Sequence, residues 1–549
     1  MQKTRSRVAL ALTASAALAL TATLAYSPAS ANPNKNLPDK LVKEVTTAAV
    51  VEHLRAFQEI ADASGNDDRA GGTSGYDSSL AYVKAKLDAV GYETEVQEFP
   101  FVYTEELKES FREISPNARD IPVDVMTYSG ASPAGGTQAA LYALPTSDAS
   151  PGCEAGDFAG FPARAIALIP RGFCSFLIKA QNAQAAGATG VVVSNNDTAQ
   201  PDLLVSGTLG TPGAVNIPVG GTSLNAGNTL RAEVAAGPVV VNLDLAELTE
   251  HRVTTNLIAE WPYGDPENVV MAGAHLDSVP EGPGINDNGS GSAGILETAL
   301  QLADKGGTKV PNRVRFGWWG AEEFGLVGST YYVNNLSAEE REKIALYLNF
   351  DMIGSPNYIF GIYDGDDSDG EGAGAGPEGS AQIEKVLERY FDTRGQNHVG
   401  TDFSGRSDYQ AFINNGIPAG GLFTGAEGLK SEAHTEMFGG VAGASFDPCY
   451  HQRCDSLTPV ADGADADLYA ELDQMYDLVG NVNRYALGHN ADAIAYAVGT
   501  FAMSLDELEG SADATTAKAN KKKTRHGITG VHNDHRHGGK NHHPKGVVR

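Results

Sequence analysis

The chain has 549 residues, of which 42% are hydrophobic and 20% are charged, and its formal net charge is −29. This composition supplies enough apolar material for a buried core, which excludes a wholly disordered chain. The negative charge repels phosphate backbones and excludes nucleic acid as a partner, and four cysteines in so long a chain do not make a disulfide scaffold.

The first residues have the features of an export signal. Lys3, Arg5 and Arg7 precede an apolar stretch rich in Ala and Leu, and a small-residue cleavage site ends at Ala31. The alternative is a membrane anchor, which the short apolar stretch and the cleavage site disfavour. We therefore predict a signal peptide at 1–31 and a secreted, extracellular protein with no stable membrane anchor. In such an oxidising environment cysteines pair.

The next 200 residues show two different patterns of apolar and turn residues. Residues 50–61 and 78–89 have apolar residues at helical spacing, and residues 92–101 alternate like a strand. Residues 120–248 carry short β-rich runs between turn residues and one helix at 175–186. The predicted strands there are 139–144, 165–169, 190–194 and 239–245. We expect a small β-rich module inserted into a larger domain, and no clustered acids or histidines predict chemistry for it.

From about residue 250 apolar strands alternate with helices, which predicts an α/β domain with a mostly parallel sheet sandwiched by helices. The predicted elements are strands 268–272, 314–318 and 344–348, a helix at 290–303, a surface loop at 361–379 and a helical segment from 467 to about 502. The basic, His-rich tail at 510–549 is predicted to be disordered. We favour a solubilising extension over a segment that docks to an anionic cell wall.

Isolated acids and histidines in this second half fall just after apolar strands or in adjoining loops. The positions are His275, Asp287, Glu322, Glu323, Asp351 and His451. Each alone has an ordinary explanation, such as a hydrogen-bonded loop histidine, a solvated Glu pair or an Asp that shapes a turn. Parallel strands, however, gather their functional residues at one edge. Two histidines and three carboxylates fit two zinc ions bridged by one carboxylate, with a fourth acid left as a base.

At these residues the chain resembles the M28 family of co-catalytic dizinc aminopeptidases. The motifs AHLDSV, GINDNGSG, WGAEEFGLVGS, NFDMIG and CYHQRCDS occur in family order. The stretch at 120–248 resembles a protease-associated (PA) domain in its two cysteines and in IPRGFCSF and KAQNAQAAGATGVVV. The resemblance implies a zinc exopeptidase-like fold, with an M28 peptidase domain at 45–119 and 249–505 and an inserted β-rich PA domain at 120–248.

The resemblance also implies a ligand set for two zinc ions per subunit. One zinc would be held by His275 and Asp351, and the other by His451 and Glu323. Asp287 would bridge the two.

The same resemblance assigns catalytic and substrate-binding roles. Glu322 would be the general base, and Tyr450 would hydrogen-bond the oxyanion. Arg406 would lie near the free amino terminus of the substrate, and Met352 and Phe423 would line an apolar pocket for its first residue.

Several features leave alternatives open. Arg406 either contacts the substrate or pairs with Asp408, and Asp277 is expected to orient His275 rather than to bind metal. In a secreted chain the cysteines favour disulfides over a metal site. The predicted disulfides are Cys153–Cys174 and Cys449–Cys454. The acidic cluster Asp462, Asp465 and Asp467 offers ligands for Ca²⁺, as in some family members, but we favour a solvated turn.

We therefore predict a secreted zinc aminopeptidase that removes apolar first residues from peptides with a free N-terminus. One alternative is a catalytically inactive binding or receptor-like protein on the same fold, which the complete set of ligand residues disfavours. Another is a different zinc exopeptidase or cyclisation reaction, against which the bridging Asp287 and the Glu322–Glu323 pair favour two metals and hydrolysis. The sequence predicts neither the preferred first residue nor the oligomeric state.

Overall fold

A computed structural model of the chain describes residues 36–508 except 199, 371, 373, 460 and 462. The predicted signal peptide at 1–31 and the tail at 510–549 lie outside the described residues. No helix in the described part of the chain is long and apolar enough to cross a membrane.

The described residues form α-helices and strands that we number in chain order. The helices are α1 (Leu37–Glu44), α2 (Thr47–Ser64), α3 (Ser74–Val90), α4 (Phe176–Ala185), α5 (Leu224–Ala236), α6 (Gly291–Lys305), α7 (Val327–Asn335), α8 (Ala338–Lys343), α9 (Ser380–Asp392), α10 (Tyr409–Asn414), α11 (Glu432–Phe438), α12 (Ala466–Met475) and α13 (Arg484–Met503). The strands are β1 (Glu93–Ser115), β2 (Arg119–Ile121), β3 (Asp124–Val125), β4 (Thr137–Ala143), β5 (Ile166–Pro170), β6 (Gly190–Ser194), β7 (Val219–Thr222), β8 (Val240–Glu260), β9 (Asp265–His275), β10 (Asn312–Trp319), β11 (Ile344–Phe350), β12 (Gly361–Tyr363), β13 (Val399–Thr401), β14 (Ala419–Phe423), β15 (Leu478–Val479) and β16 (Val482–Asn483).

Four parallel strands, in the order β10, β9, β11 and β14, form the centre of the larger domain. Most of their residues are apolar because helices cover both faces of the sheet, although β10 also carries Arg313 and Arg315. On one face α2, α3, α6 and α13 enclose the largest hydrophobic core, and α7 and α10 pack on the other. The prediction of a mostly parallel sheet sandwiched by helices is confirmed.

A long antiparallel ribbon joins the two parts of the molecule. Strands β1 and β8 pair from Glu93 opposite Glu260 to Ser115 opposite Val240. One end of β8 pairs with β10 in the central sheet, and the other end pairs with β4. Beyond it, β4, β5, β6 and β7 form a second parallel sheet, so one continuous sheet runs through both parts.

Three predictions about elements need correction. The second parallel sheet carries two helices rather than one. The sequence did not indicate α5, because that helix is rich in Ala and Asn and buries few apolar side chains. The predicted surface loop at 361–379 begins with strand β12. The predicted helix from 467 to 502 is divided by the β15–β16 hairpin, whose turn contains Gly480 with φ of +56°.

Candidate metal centre and active site

The carboxyl ends of three neighbouring strands bring the predicted site residues together. Strand β9 ends at His275, which pairs in register with Trp319, the last residue of β10. Glu322 and Glu323 follow that strand in a short turn, and Asp351 follows β11 directly. Because the three strands are parallel, their ends meet at one edge of the sheet.

The two histidines lie on opposite sides of Asp287. His275 Nε2 is 3.2 Å from Asp351 Oδ1 and 3.2 Å from Asp287 Oδ1. His451 Nε2 is 3.0 Å from Glu323 Oε2 and 3.5 Å from Asp287 Oδ2. Each oxygen of Asp287 therefore faces a different imidazole, as an acid between two sites would.

The electrostatics of the two imidazoles show how strongly this cluster favours positive charge. Burial alone would lower the pKa of His275, but the carboxylates of Asp351 and Glu322 raise it well above its usual range. The pKa of His451 is likewise raised well above its usual range, because Glu323 and Asp287 outweigh burial. A divalent cation would satisfy the same preference, since metal binding displaces protons from histidine ligands.

The carboxylates respond to the same neighbours. Burial would raise the pKa of Asp287, but the two adjacent imidazoles hold it below its usual range. Burial and the nearby Asp287 raise the pKa of Glu323 to about 7, with His451 opposing them. The buried Oε1 of Glu323 has no hydrogen-bond partner among the described residues. One atom each of His275, Asp287 and Glu323 lies within 4.8 Å of the others. This donor set fits zinc.

Glu322 lies beside these residues but makes none of the close contacts with the imidazoles that Glu323 makes. Its side chain is buried, and burial raises its pKa well above the usual range, with the charges of Glu323, Asp408 and Asp351 adding to the effect. A carboxylate whose pKa is raised in this way is a stronger base than an exposed one, as a group that accepts and releases protons requires.

Asp277 contacts this region differently from the sequence prediction. Its carboxylate accepts hydrogen bonds from the backbone N–H groups of Glu322 and Glu323, at 3.2 and 3.3 Å. His275 Nδ1 faces the main-chain carbonyl of Asp277 at 3.1 Å and the carboxylate at 3.6 Å. Asp277 therefore fixes the Glu322–Glu323 turn, and it orients the ring mainly through its backbone.

The loop that carries Tyr450 and His451 is tied down at both of its ends. Cys449 and Cys454 form a disulfide across it, and Cys153 and Cys174 form another, so both predicted bridges are present. The ring of Tyr450 stacks on that of His451 with centroids 3.8 Å apart.

Arg406 pairs with a residue that the sequence did not indicate. Its Nη1 is 2.7 Å from Glu427 Oε1, and its Nη2 donates to the hydroxyl of Tyr450 at 3.1 Å. It does not pair with Asp408, the alternative that the sequence left open. Asp408 is buried instead, and burial raises its pKa to about 7.

A cavity of about 210 Å³ opens beside the cluster. Its walls include the predicted pocket residues Met352 and Phe423 together with Tyr363, Arg406 and Tyr450. The lining combines aromatic and apolar side chains with the acids and His275. This is the composition of a site that holds an apolar group next to reacting polar atoms.

Backbone strain also occurs here. Ala321, Met352 and His451 have φ of +54°, +53° and +56°, in the left-handed region that residues with a Cβ rarely adopt. Ala321 precedes Glu322, Met352 follows Asp351, and His451 is itself a predicted ligand. Strain held in this way is typical of functional sites, where the surrounding contacts fix it.

Two contacts to the ligand residues were missed from the sequence. The buried Asp455 accepts hydrogen bonds from the backbone N–H groups of Asn286 and Asp287, at 2.8 and 2.9 Å. Ser407 donates to Asp351 Oδ2 at 2.5 Å. Asp455 lies in the motif CYHQRCDS noted above and Ser407 follows Arg406 directly, but partners distant in sequence gave neither residue a recognisable spacing.

The acidic cluster considered above as a Ca²⁺ site is only partly described, since Asp462 lies outside the described residues. Asp465 caps helix α12 by accepting hydrogen bonds from the backbone of Asp467 and Leu468, both at 3.1 Å. That contact supports the turn that we favoured, and Ca²⁺ at this position stays a prediction.

Two family models match the chain. Peptidase family M28 matches residues 256–473, and the PA domain matches residues 137–230. An aminopeptidase of Pseudomonas aeruginosa is 41% identical over 495 residues, which cover 86% of this chain and 83% of that protein. Leucine aminopeptidase 2 of Trichophyton rubrum is 40% identical over 468 residues, which cover 85% of this chain and 86% of that protein.

A solved structure shares the fold. A zinc aminopeptidase from Bacillus subtilis superposes with a TM-score of 0.55 at 24% sequence identity, covering 82% of this chain and 94% of that one. The M28 resemblance of the sequence is thereby confirmed, together with the PA domain. The chain belongs to peptidase family M28, and it is an aminopeptidase of that family.

Proposed function

We propose that this M28 aminopeptidase is a secreted enzyme that uses two zinc ions to release apolar first residues from peptides. The observation that carries the proposal is the convergence of two imidazoles and three carboxylates, with Asp287 between the imidazoles and Glu322 beside them. Zinc is also named for the structurally similar Bacillus subtilis enzyme.

The contacts divide the ligands into two sets. His275 and Asp351, 3.2 Å apart, would hold one zinc. His451 and Glu323, 3.0 Å apart, would hold the other. Asp287 would contribute one oxygen to each. Two bound zinc ions would lower the pKa of the attacking water and polarise the scissile carbonyl.

Glu322 would move the protons of the reaction. It would accept one from the attacking water and return it to the leaving amine. Its burial among other carboxylates raises its pKa, which strengthens it as a base. The hydrogen bond from the backbone N–H of Glu322 to the Asp277 carboxylate holds the Glu322 backbone in place for both transfers.

Tyr450 would stabilise the negative charge that develops on the carbonyl oxygen. Burial and the charge of Asp287 raise the pKa of its hydroxyl well above the usual range, so it remains protonated and can donate a hydrogen bond. Arg406 supports this role because its guanidinium contacts the Tyr450 hydroxyl and is itself held by Glu427.

The cavity accounts for both parts of the proposed specificity. Met352 and Phe423 present apolar surface to the side chain of the first residue. The carboxylates of Glu322 and Asp351 can bind a free α-ammonium, which an endopeptidase substrate lacks. Leucine, an apolar residue, is named for the related Trichophyton rubrum enzyme.

Export is supported by the sequence features of residues 1–31 and by the two disulfides, which pair all four cysteines of the chain. Disulfides persist in oxidising compartments and are rare in the cytosol.

The alternatives are an inactive binding protein on the same fold and another zinc exopeptidase reaction. The first would have no use for a buried base next to a complete ligand set. The second is distinguished by which end of the peptide is cut.

One experiment tests the proposal directly. Leucine release is measured from an unblocked peptide and from its N-acetylated form, with and without a zinc chelator. We expect release only from the unblocked peptide, and its loss with chelator. Equal hydrolysis of the acetylated peptide would contradict the aminopeptidase assignment, and undiminished activity in chelator would contradict the metal.

A further inference from the structure

The loop between His275 and Asp287 has no regular secondary structure over residues 276–284. One predicted ligand, His275, directly precedes this loop, and another, Asp287, follows three residues after its end. The distance between the two zinc positions therefore depends on what holds this loop, since an irregular segment does not fix its own shape.

A single buried side chain contacts both ends of the loop. Arg69 donates from Nη1 to the carbonyl of Leu276, from Nε to that of Pro283 at 2.8 Å and from Nη2 to that of Gly284 at 2.6 Å. Leu276 follows His275 directly, and Gly284 precedes Asp287 by three residues. The planar guanidinium, with its fixed fork of donors, thus joins the entry and exit of the loop.

Arg69 also places a buried positive charge close to the acids of the site. It is 0% exposed, and the carboxylates of Asp455, Asp277 and Asp287 act on it. Burial lowers the pKa of its guanidinium to about 10, with these acids opposing the change, so it stays charged at neutral pH.

Arg69 is itself held rigidly, although it lies far from the ligands in sequence. Its backbone N–H donates to the hydroxyl of Ser278 at 2.9 Å, and the backbone of Ser278 returns a bond to the Arg69 carbonyl at 3.3 Å. Its guanidinium packs over the ring of Phe57, 5.1 Å from the centroid. The Ser278 bonds thus join the Arg69 backbone to the loop itself, and Phe57 of α2 positions the guanidinium from outside the loop.

We infer that Arg69 is a positioning residue of the metal centre, which sets the separation of His275 and Asp287 by holding both ends of the loop between them. This inference rests on the proposed two-zinc function. It assigns to the segment between α2 and α3, which supplies no ligand, a part in metal affinity.

The test compares Arg69→Lys and Arg69→Met with a matched control, Lys179→Met. Lys179 is also 0% exposed and also donates to a main-chain carbonyl, that of Pro151, but it lies in the PA domain. Zinc affinity is measured on each full-length protein by competition with a chelator. The melting temperature of each metal-free protein is measured in parallel.

Both Arg69 variants are expected to bind zinc about 10–100-fold more weakly than the wild type, the range found when groups that orient metal ligands are removed. Lysine retains the charge but cannot donate to three carbonyls in a plane. Lys179→Met is expected to lower the melting temperature and leave zinc affinity unchanged. If Arg69→Met fails to fold, Arg69→Lys alone decides the outcome.

Wild-type zinc affinity in Arg69→Lys and in the folded Arg69→Met would overturn the inference. So would an equal loss in Lys179→Met, which would show a general effect of destabilisation. Absence of zinc binding by the wild type would instead contradict the proposed function itself.

Discussion

The two parallel sheets of this molecule share an architecture but carry different chemistry where their strands end. In the peptidase domain, strands β9, β10 and β11 end at or just before His275, Glu322 and Asp351. In the PA domain, strands β5 and β6 end beside Arg171 and Ser194, and Asn195 follows. Both sheets present the carboxyl ends of their strands at one edge, where α/β proteins collect functional groups.

The chemistry at the two edges differs. In the PA domain, Asn195 Oδ1 accepts hydrogen bonds from Arg171 at 3.2 Å and from the backbone of Asn196 at 2.8 Å, and Ser194 accepts one from Arg231 at 2.6 Å. At this edge two guanidinium groups donate to an amide oxygen and a hydroxyl, and these contacts include no carboxylate. In the peptidase domain carboxylates outnumber cations, and burial and neighbouring charges displace the pKa values of Asp287, Glu322 and Glu323. A parallel edge thus provides a place for a site, and a cluster of buried carboxylates and imidazoles gives it reactive chemistry.

The sharpest test of this comparison separates two adjacent acids. Glu322→Gln is expected to reduce leucine release by about 10²–10⁴-fold, the contribution of a general base, while zinc content stays unchanged. Glu323→Gln is expected to lose zinc as well as activity, because Glu323 contacts His451, which also faces Asp287. Zinc stoichiometry and leucine release are measured on both variants. Loss of zinc from the first but not from the second would reverse the two roles.

Tyr450→Phe removes one hydrogen-bond donor and leaves the charged groups of the peptidase site unchanged. We expect kcat to fall by about 10²-fold with KM little altered, because the bond forms only as the oxyanion develops. Steady-state kinetics on leucine substrates checks this. A rise in KM at constant kcat would place Tyr450 in substrate binding instead.

The two disulfides compare the two regions directly. Replacing Cys449 and Cys454 by Ser is expected to lower activity about tenfold, because that bridge spans the loop of Tyr450 and His451. Replacing Cys153 and Cys174 by Ser should lower the free energy of unfolding by about 3 kcal/mol, since it releases a longer loop, and leave kcat unchanged. Denaturant unfolding and kinetics are compared for both double variants. Equal losses of activity would show that the PA domain shapes the site.

The smallest effect on activity is expected at the PA edge. Asn195→Ala leaves the Arg171 guanidinium and the backbone of Asn196 without their partner, which should cost about 1–3 kcal/mol of stability. Leucine release per folded molecule should not change. A fall in kcat would give this edge a function that its hydrogen bonds do not indicate.

The sequence predicted the convergence of His275, Glu323 and Asp351, because each comes at or just after the end of a buried apolar strand and such ends meet at one edge of a parallel sheet. The sequence placed Asp287 and His451 in adjoining loops, and the ligand roles of all five residues stay predictions. It could not predict the partners of those residues. Asp455, Glu427 and Arg69 act on the site across long sequence separations, and nothing in their local spacing marks them. The β15–β16 hairpin was missed for a related reason, since two-residue strands leave no periodicity.

The PA domain is inserted between β1 and β8, at the far end of their ribbon. Glu106 and Glu247 face each other across the two strands, at the bulge where the register shifts by one residue. On the peptidase side of this pair, Phe101 and Tyr103 of β1 pack against Phe324. A two-residue turn joining Glu106 to Glu247 would close β1 and β8 into an ordinary hairpin. The PA domain therefore occupies the tip of a long hairpin. Its insertion or removal would leave the strand order of the catalytic sheet unchanged.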